Sequence, residues 1–357
     1  MEFFYLCNLF YEKMKRKTNR TIIFITLIII LLGGVAGYFY YRIISSGFNI
    51  QEPVSIYINE KKDYDKLLSD LETVAQIKDP VLFQKLASFR QYNENNMLTG
   101  RYVITPSMSY FSAIRMFRNG QQTPVKVTFN NVRLKADFIE KIGEQFMFAP
   151  EKLSEKINDP EICESFGFDT ETIVSMFIPN TYEMYWNVSI DKFLERMKKE
   201  YDRFWTPERL EKAEAIPLTP VQVAVLASIV EEETARKADY ATVAGLYINR
   251  LRKRMLLQAD PTVKFAVGDF SLKRILYAHL DVDSPYNTYK YPGLPPGPIR
   301  IPSISAMDAV LNYARHNYLY MTAKEDLSGE TNFAVTHSEH IRNAQKYQEA
   351  LNKRKIR

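Results

Sequence analysis

The stretch LTPVQVAVLASIVEEETARK, residues 218–237, opens with a clear helix start signal. Thr219 is a good N-cap, and Pro220 is tolerated at the first helical position. The pattern predicts a helix over 221–235, and at 100° per residue its three acids separate. Glu233 falls one turn after Ile229 and Val230 and two after Leu226, so its side chain extends the apolar stripe facing the core. Glu231 points almost the opposite way, over Ala224, Ala227 and Ser228, with Glu232 between them. A carboxyl set against apolar surface loses solvation of its charged form, which raises its pKa. A raised carboxyl is what acid catalysis near neutral pH requires. The bland alternative is a solvated acidic helix end, although acids there oppose the helix dipole, which favours cations.

Working outward, Asp239 is placed to cap a second helix, Tyr240 to Leu251, with Tyr240, Val243, Tyr247 and Leu251 along one side. LLQADPTVKFAVG (256–268) sets Gln258 and Asp260 as polar groups in an apolar stretch, and Pro261 is placed to open a short helix. The loop SPYNTYKYPGLPPGPIRIPS (284–303) is rich in Pro and Gly yet carries Tyr286, Tyr289 and Tyr291. A rigid loop with rings and amides suits sugar recognition; an ordinary surface loop has the same look. Of the four histidines, His337 and His340 are three apart and could share a helix face. No third ligand stands at a zinc spacing and HExxH is absent, so no metal site is expected. GxSxG, Walker and dinucleotide motifs are absent too, and no cofactor is expected.

The chain has 357 residues, 46% hydrophobic and 25% charged, which is enough for two folded units. Residues 21–41 (TIIFITLIIILLGGVAGYFYY) carry no charge, and about 20 apolar residues match the hydrocarbon core of a bilayer. The run ends in Tyr38, Phe39, Tyr40 and Tyr41, ring anchors typical of a headgroup boundary. It is longer than the apolar part of a cleaved signal, so a retained single-pass anchor is expected. Lys13, Lys15, Arg16, Lys17 and Arg20 precede the run and only Arg42 directly follows it, which keeps the N-terminus cytoplasmic. Residues 1–13 match neither a targeting segment nor a domain, and Met14 is a plausible alternative start. Net charge is +5, concentrated there and in the tail Lys353, Arg354, Lys355 and Arg357. Two local clusters are not the domain-wide basic face that nucleic acid requires. Cys7 and Cys163 flank the apolar run, and if it spans a bilayer they cannot pair.

Beyond the anchor, Val54–Ile58 reads as a strand and Asp63–Ala75 as a helix with Leu67, Leu68 and Leu71 inward. A strand from Arg101, a helix after Ser107 ending at Asn119-Gly120, and a strand Val125–Phe129 together predict a compact unit over 101–130. It reads equally as a spacer or a ligand-docking module. Residues 131–205 look helical with loops, including a helix Ile190–Trp205. The expected class is α+β: a basic tail (1–20), a transmembrane helix (21–41), a membrane-proximal α/β region (53–150) and a mixed helical domain (151–350).

Several of these segments together resemble the YceG-like endolytic murein transglycosylases. The likeness is carried by Ala227-Ser228-Ile229-Val230-Glu231-Glu232-Glu233-Thr234, Ile248-Asn249-Arg250-Leu251 and Leu257-Gln258-Ala259-Asp260-Pro261-Thr262-Val263. It continues in Tyr286-Asn287-Thr288-Tyr289, Gly293-Leu294-Pro295-Pro296-Gly297-Pro298-Ile299 and Glu339-His340, in matching order across 220–345. The resemblance implies an inner-membrane lyase whose extracytoplasmic domain cuts nascent peptidoglycan strands internally at MurNAc–GlcNAc bonds, leaving 1,6-anhydro ends. It also implies a LysM-like module at 101–130 and peptidoglycan synthases as neighbours. The family's catalytic Glu aligns with Glu233, the residue that helical geometry selects. Asn249, Gln258, Tyr286 and Asn287 are the candidates for holding sugars. Where the family often has Lys, this chain has Glu232, whose charge is expected to raise Glu233 further. The competing readings are a hydrolase using Asp260 as second carboxylate, an anchored glycan-binding module without catalysis, and a helical adaptor for other membrane proteins.

Overall fold

A computed structural model describes residues 2–130, 132–272 and 275–354. Lys355 and Arg357 of the basic tail lie outside the described residues, as do the side chains of Cys7, Lys13, Lys15, Arg16, Lys17 and Arg20. The chain forms two compact units, one of residues 1–124 with 185–187, the other of 125–184 with 188–357.

The first unit begins with α1 (Glu2–Ile44), within which Ile22–Ile44 is long and apolar enough to cross a bilayer, with mean hydropathy 2.6. The end of this helix is tied down at once. Arg42 pairs with Asp79 at 2.7 Å, Gly47 N donates to Met108 O at 2.9 Å, and Lys78 N donates to Gly47 O at 2.9 Å. Gly47 is packed against the Tyr110 ring with no room for a Cβ. Then come β1 (Val54–Ile58), α2 (Tyr64–Thr73), α3 (Pro80–Phe89), β2 (Gly100–Ile104) and α4 (Tyr110–Arg118). Asp63, Asp79 and Ser109 cap the three short helices through their side chains. The α4 helix therefore starts two residues beyond the Ser107 signal. β1 and β2 are antiparallel, Val54 opposite Ile104, and put Ile56, Ile58, Tyr102 and Ile104 into a core with Leu71, Phe83 and Phe117. Residues 185–187 return to this unit: Trp186 meets Tyr57 edge-to-face at 4.9 Å, and the Asn187 amide donates to Thr99 O at 3.0 Å.

The second unit opens with β3 (Val125–Phe129), α5 (Lys135–Gly143), α6 (Pro150–Ile157), α7 (Pro160–Ser165) and β4 (Asn180–Met184). β3 is antiparallel to β4, Val125 opposite Met184, so the expected 101–130 unit does not close on itself. Its strands lie where the alternation placed them, but each buries its apolar face in a different core: Tyr102 and Ile104 in one, Val127 and Phe129 in the other. The α8 helix (Ile190–Phe204) adds Phe193 and Met197 beside Phe138 and Phe177.

Helices α9 (Pro207–Ala215), α10 (Pro220–Glu233), α11 (Tyr240–Arg252), α12 (Asp260–Val267), α13 (Tyr277–Leu280) and α14 (Ile304–Leu311) follow, then β5 (Tyr320–Ala323), β6 (Thr331–Ala334) and α15 (His337–Lys353). Thr219 and Gln222 close a capping box on α10, as the start signal predicts. The helix is not the one-sided stripe expected from its sequence. Every residue from Val223 to Val230 is buried, because α11, α12 and α14 pack around it.

Candidate active site

A helix enclosed by other helices must satisfy the acids at its end within the protein. Glu231 accepts from Ser303 N at 2.7 Å, and Arg300 lies 3.7 Å away. Glu232 is held between Arg300 and Arg133, each at 2.8 Å. Two guanidiniums thus offset the mismatch between an acidic run and the negative end of α10. Neither acid is the solvated group that a surface helix would present.

Glu233 is turned away from these cations. Its Oε2 accepts from the Tyr247 phenol at 3.1 Å, and it lines a cavity of about 210 Å³ with Arg250, Gln258, Asp260, Tyr289 and His340. Burial, then the Asp260 charge, push the Glu233 carboxyl up to about 7, against the Tyr247 hydrogen bond and the charges of Arg250 and Lys264. The acid that raises it is therefore Asp260 and not Glu232, whose charge is engaged by two arginines. Asp260 accepts from the Tyr289 phenol at 2.6 Å. Arg250, which is largely buried, donates to Leu319 O at 2.6 Å and to Leu257 O at 2.7 Å, with its guanidinium 5.4 Å from the Tyr320 ring centre. His340 stacks on that ring at 5.3 Å, and burial holds its imidazole below the ordinary histidine value. The site thus holds a carboxyl raised to about 7, a second acidic side chain in Asp260, and a histidine whose burial disfavours its charged form.

The cavity gathers two of the five candidate residues, Glu233 and Gln258. Gln258 has a left-handed backbone (φ +49°), with its N–H donating to Thr288 O at 3.1 Å. Asn249 lies elsewhere: its amide donates to His316 O at 2.7 Å and Tyr318 O at 3.1 Å. The Tyr286 phenol donates to Glu171 at 2.7 Å, and its ring packs on Phe265. Asn287 is fully buried and donates to Leu280 O and Val282 O at 2.9 and 2.8 Å. In these three the polar groups that resemble sugar ligands close loops instead. Leu294, Pro295 and Pro296 line a separate apolar cavity with Pro217 and Val221. Tyr247, Arg250, Tyr289 and His340 line the cavity but were not among the candidate residues, although Tyr289 stood among the loop rings and Arg250 and His340 in the segments that carry the resemblance. Tyr247 reads as one more core ring, and Arg250 as a basic residue in the last turn of a helix. The signal for His340 lay in Glu339-His340. Glu339 binds Val335 N at 3.1 Å at the start of α15, and its neighbour faces the cavity.

Residues 56–346 match the model of the YceG-like family. The chain belongs to the YceG-like family. An endolytic murein transglycosylase of Bacillus subtilis (strain 168) is 44% identical over 129 residues, 36% of this chain and 35% of that protein. One from Streptococcus pneumoniae (serotype 2, strain D39) is 25% identical over 352 residues, 89% of this chain and 63% of that protein. The chain therefore spans less than two thirds of the length of these relatives. A crystal structure of a YceG-like protein from Listeria monocytogenes covers 82% of this chain and 99% of its own, at 26% identity and a TM-score of 0.52. The mixed helix-and-sheet architecture of the matched region is thus a YceG-like arrangement.

Proposed function

We propose that this YceG-like protein cleaves peptidoglycan glycan strands internally by lytic transglycosylation, with Glu233 as acid and then base. One observation carries the reading: an enclosed carboxyl raised to about 7 stands at a polar cavity, in a chain whose relatives are named endolytic murein transglycosylases. Protonated Glu233 gives its proton to the glycosidic oxygen as the C1–O bond of the muramyl residue breaks and positive charge builds on the ring. The carboxylate then takes the proton of the C6 hydroxyl as O6 bonds to C1. The products are a 1,6-anhydro end and a free 4-hydroxyl, and Glu233 regains its proton. One group serves both halves because its proton affinity lies near the working pH. No second carboxylate is needed to activate water, as hydrolysis would require. Gln258 and His340 are the groups at the cavity for holding sugar hydroxyls.

The apolar part of α1 serves as a single-pass anchor in this reading, with the N-terminus cytoplasmic and the chain from about Ser45 onward outside. Peptidoglycan synthases in the same membrane are the expected neighbours. The test is mass spectrometry of purified peptidoglycan incubated with the full chain in detergent, wild type beside Glu233→Gln. Anhydromuramyl ends from wild type alone support the proposal. Reducing ends would move the assignment to hydrolysis with Asp260, and cleavage by Glu233→Gln would remove Glu233 from its role.

A further inference from the structure

Asp260 stands at the first turn of α12, exposed at the mouth of the Glu233 cavity, with Tyr289 donating to its Oδ1 at 2.6 Å. Its position is notable for what surrounds Glu233. From α11 come Tyr247 and Arg250, from α12 Asp260 and Lys264, from the loop after α13 Tyr289, and from α15 His340. On α10 itself Glu232 is neutralised by Arg133 and Arg300. Arg250 donates to the carbonyls of Leu256, Leu257 and Leu319, and as a cation it lowers the Glu233 carboxyl instead of raising it. Asp260 is therefore the anion left to act on Glu233, and the Tyr289 bond fixes where that charge sits.

We infer that Asp260, fixed by Tyr289 at the cavity it shares with Glu233, is a positioning residue that acts by its charge through Glu233 in both halves of the reaction. This rests on the transglycosylase reading above. A fixed negative neighbour favours the protonated acid before cleavage. The same neighbour makes the carboxylate a stronger base once the proton has gone to the leaving oxygen. Asp260 itself forms no bond to the sugar and transfers no proton. Repulsion by Asp260 stands second only to burial among the effects that raise Glu233, in keeping with this role.

The experiment compares wild type with Asp260→Asn, Asp260→Ser and Asp260→Glu as full chains in detergent. It follows anhydro-end release from purified peptidoglycan as a function of pH. In parallel, the Glu233 carboxyl is titrated by carbon NMR, its resonance identified by its loss in Glu233→Gln. Two neutral replacements are used so that misfolding of one does not end the test. Each neutral variant is expected to keep anhydro products, to move the basic limb of the profile about one pH unit toward acid, and to lose about fivefold in rate at neutral pH. The carboxyl titration should move with the limb, and Asp260→Glu should restore both. An unmoved titration in a folded neutral variant would overturn the inference. So would loss of product even below about pH 5, where Glu233 is protonated without help, since Asp260 would then take part in bond-making. Reducing ends from wild type would instead overturn the transglycosylase reading, while the carboxyl titration would still decide the part played by Asp260.

Discussion

The Tyr247 phenol and the Glu233 carboxyl, fourteen residues apart on successive helices, are joined by a 3.1 Å hydrogen bond to Oε2. In the mechanism proposed above, Oε1 is then the oxygen that carries the transferable proton into the cavity. If Glu233 is the acid proposed above, the arrangement selects one of its oxygens and one orientation before any substrate arrives. It also explains why burial does not raise Glu233 higher, since the bond favours the charged form.

Tyr247→Phe removes that bond and keeps the ring. Glu233 should then hold its proton to higher pH, moving the basic limb of the activity profile alkaline, opposite to the neutral Asp260 variants. Turnover at the optimum should fall on the order of tenfold as the carboxyl loses its fixed orientation. A pH–rate profile decides it, and an unmoved or acid-shifted limb would show that the phenol does not act on the acid.

Stability should also register the strained acid. The Glu233 pKa rises from 4.5 to about 7 in the folded chain, so the folded state binds more protons than the unfolded one between those values. Stability from this group is fully present below about 4.5 and is lost as pH climbs through about 7, a difference of about 3 kcal/mol. Glu233→Gln has nothing to titrate there. Its melting temperature should exceed that of wild type by more at alkaline pH than at mildly acid pH, measured by differential scanning fluorimetry across the range.

The two arginines on Glu232 should not be equivalent. Arg300 is 13% exposed and also faces Glu231, whereas Arg133 is 40% exposed. Arg300→Met leaves two enclosed carboxylates at the negative end of α10 and should cost about 3 kcal/mol or more in urea unfolding. Arg133→Met should cost under about 1 kcal/mol. Equal losses would mean that the shared acid, and not its burial, sets the energetics.

Gly245 lies on α11 two residues before Tyr247, where an added Cβ would collide with Ala314 O and meet the His316 ring at 2.7 Å. Gly245→Ala should push α11 off the chain at 314–316, costing about 1–3 kcal/mol. Because Tyr247 and Arg250 ride on this helix, activity should drop with the protein still folded at room temperature, as read by circular dichroism beside the cleavage assay.

Local chemistry made much of this legible. Thr219 and Pro220 mark the start of α10 because a capping box needs only residues three apart, and the five-residue strands show their alternation within themselves. Glu233 could be singled out as a candidate from the apolar residues on its own helix, although the enclosure that raises its proton affinity also draws on Leu246, Tyr247, Leu257 and Met321 and on the Asp260 charge. What the sequence did not disclose depends on pairing across distance. β2 and β3 look like one hairpin-sized unit until their partners, at 54–58 and 180–184, are known. Tyr247 cannot be told from a core ring without the Glu233 oxygen beside it. Asn287 has the composition of a sugar ligand, but its amide is consumed by the turn that it sits in.

The return of Trp186 and Asn187 to Tyr57 and Thr99 gives the membrane-proximal unit a calendar. It is not encoded by one uninterrupted stretch, so a growing chain cannot finish it when residue 124 leaves the ribosome. The face around Tyr57 stays open until β4 has been made and the indole arrives to cover it. Domains usually complete folding in the order they are synthesised; here the first to begin must wait for part of the second. A truncation placed between residues 124 and 125, the natural choice for cutting away the anchor, would strand Trp186 without its partner ring.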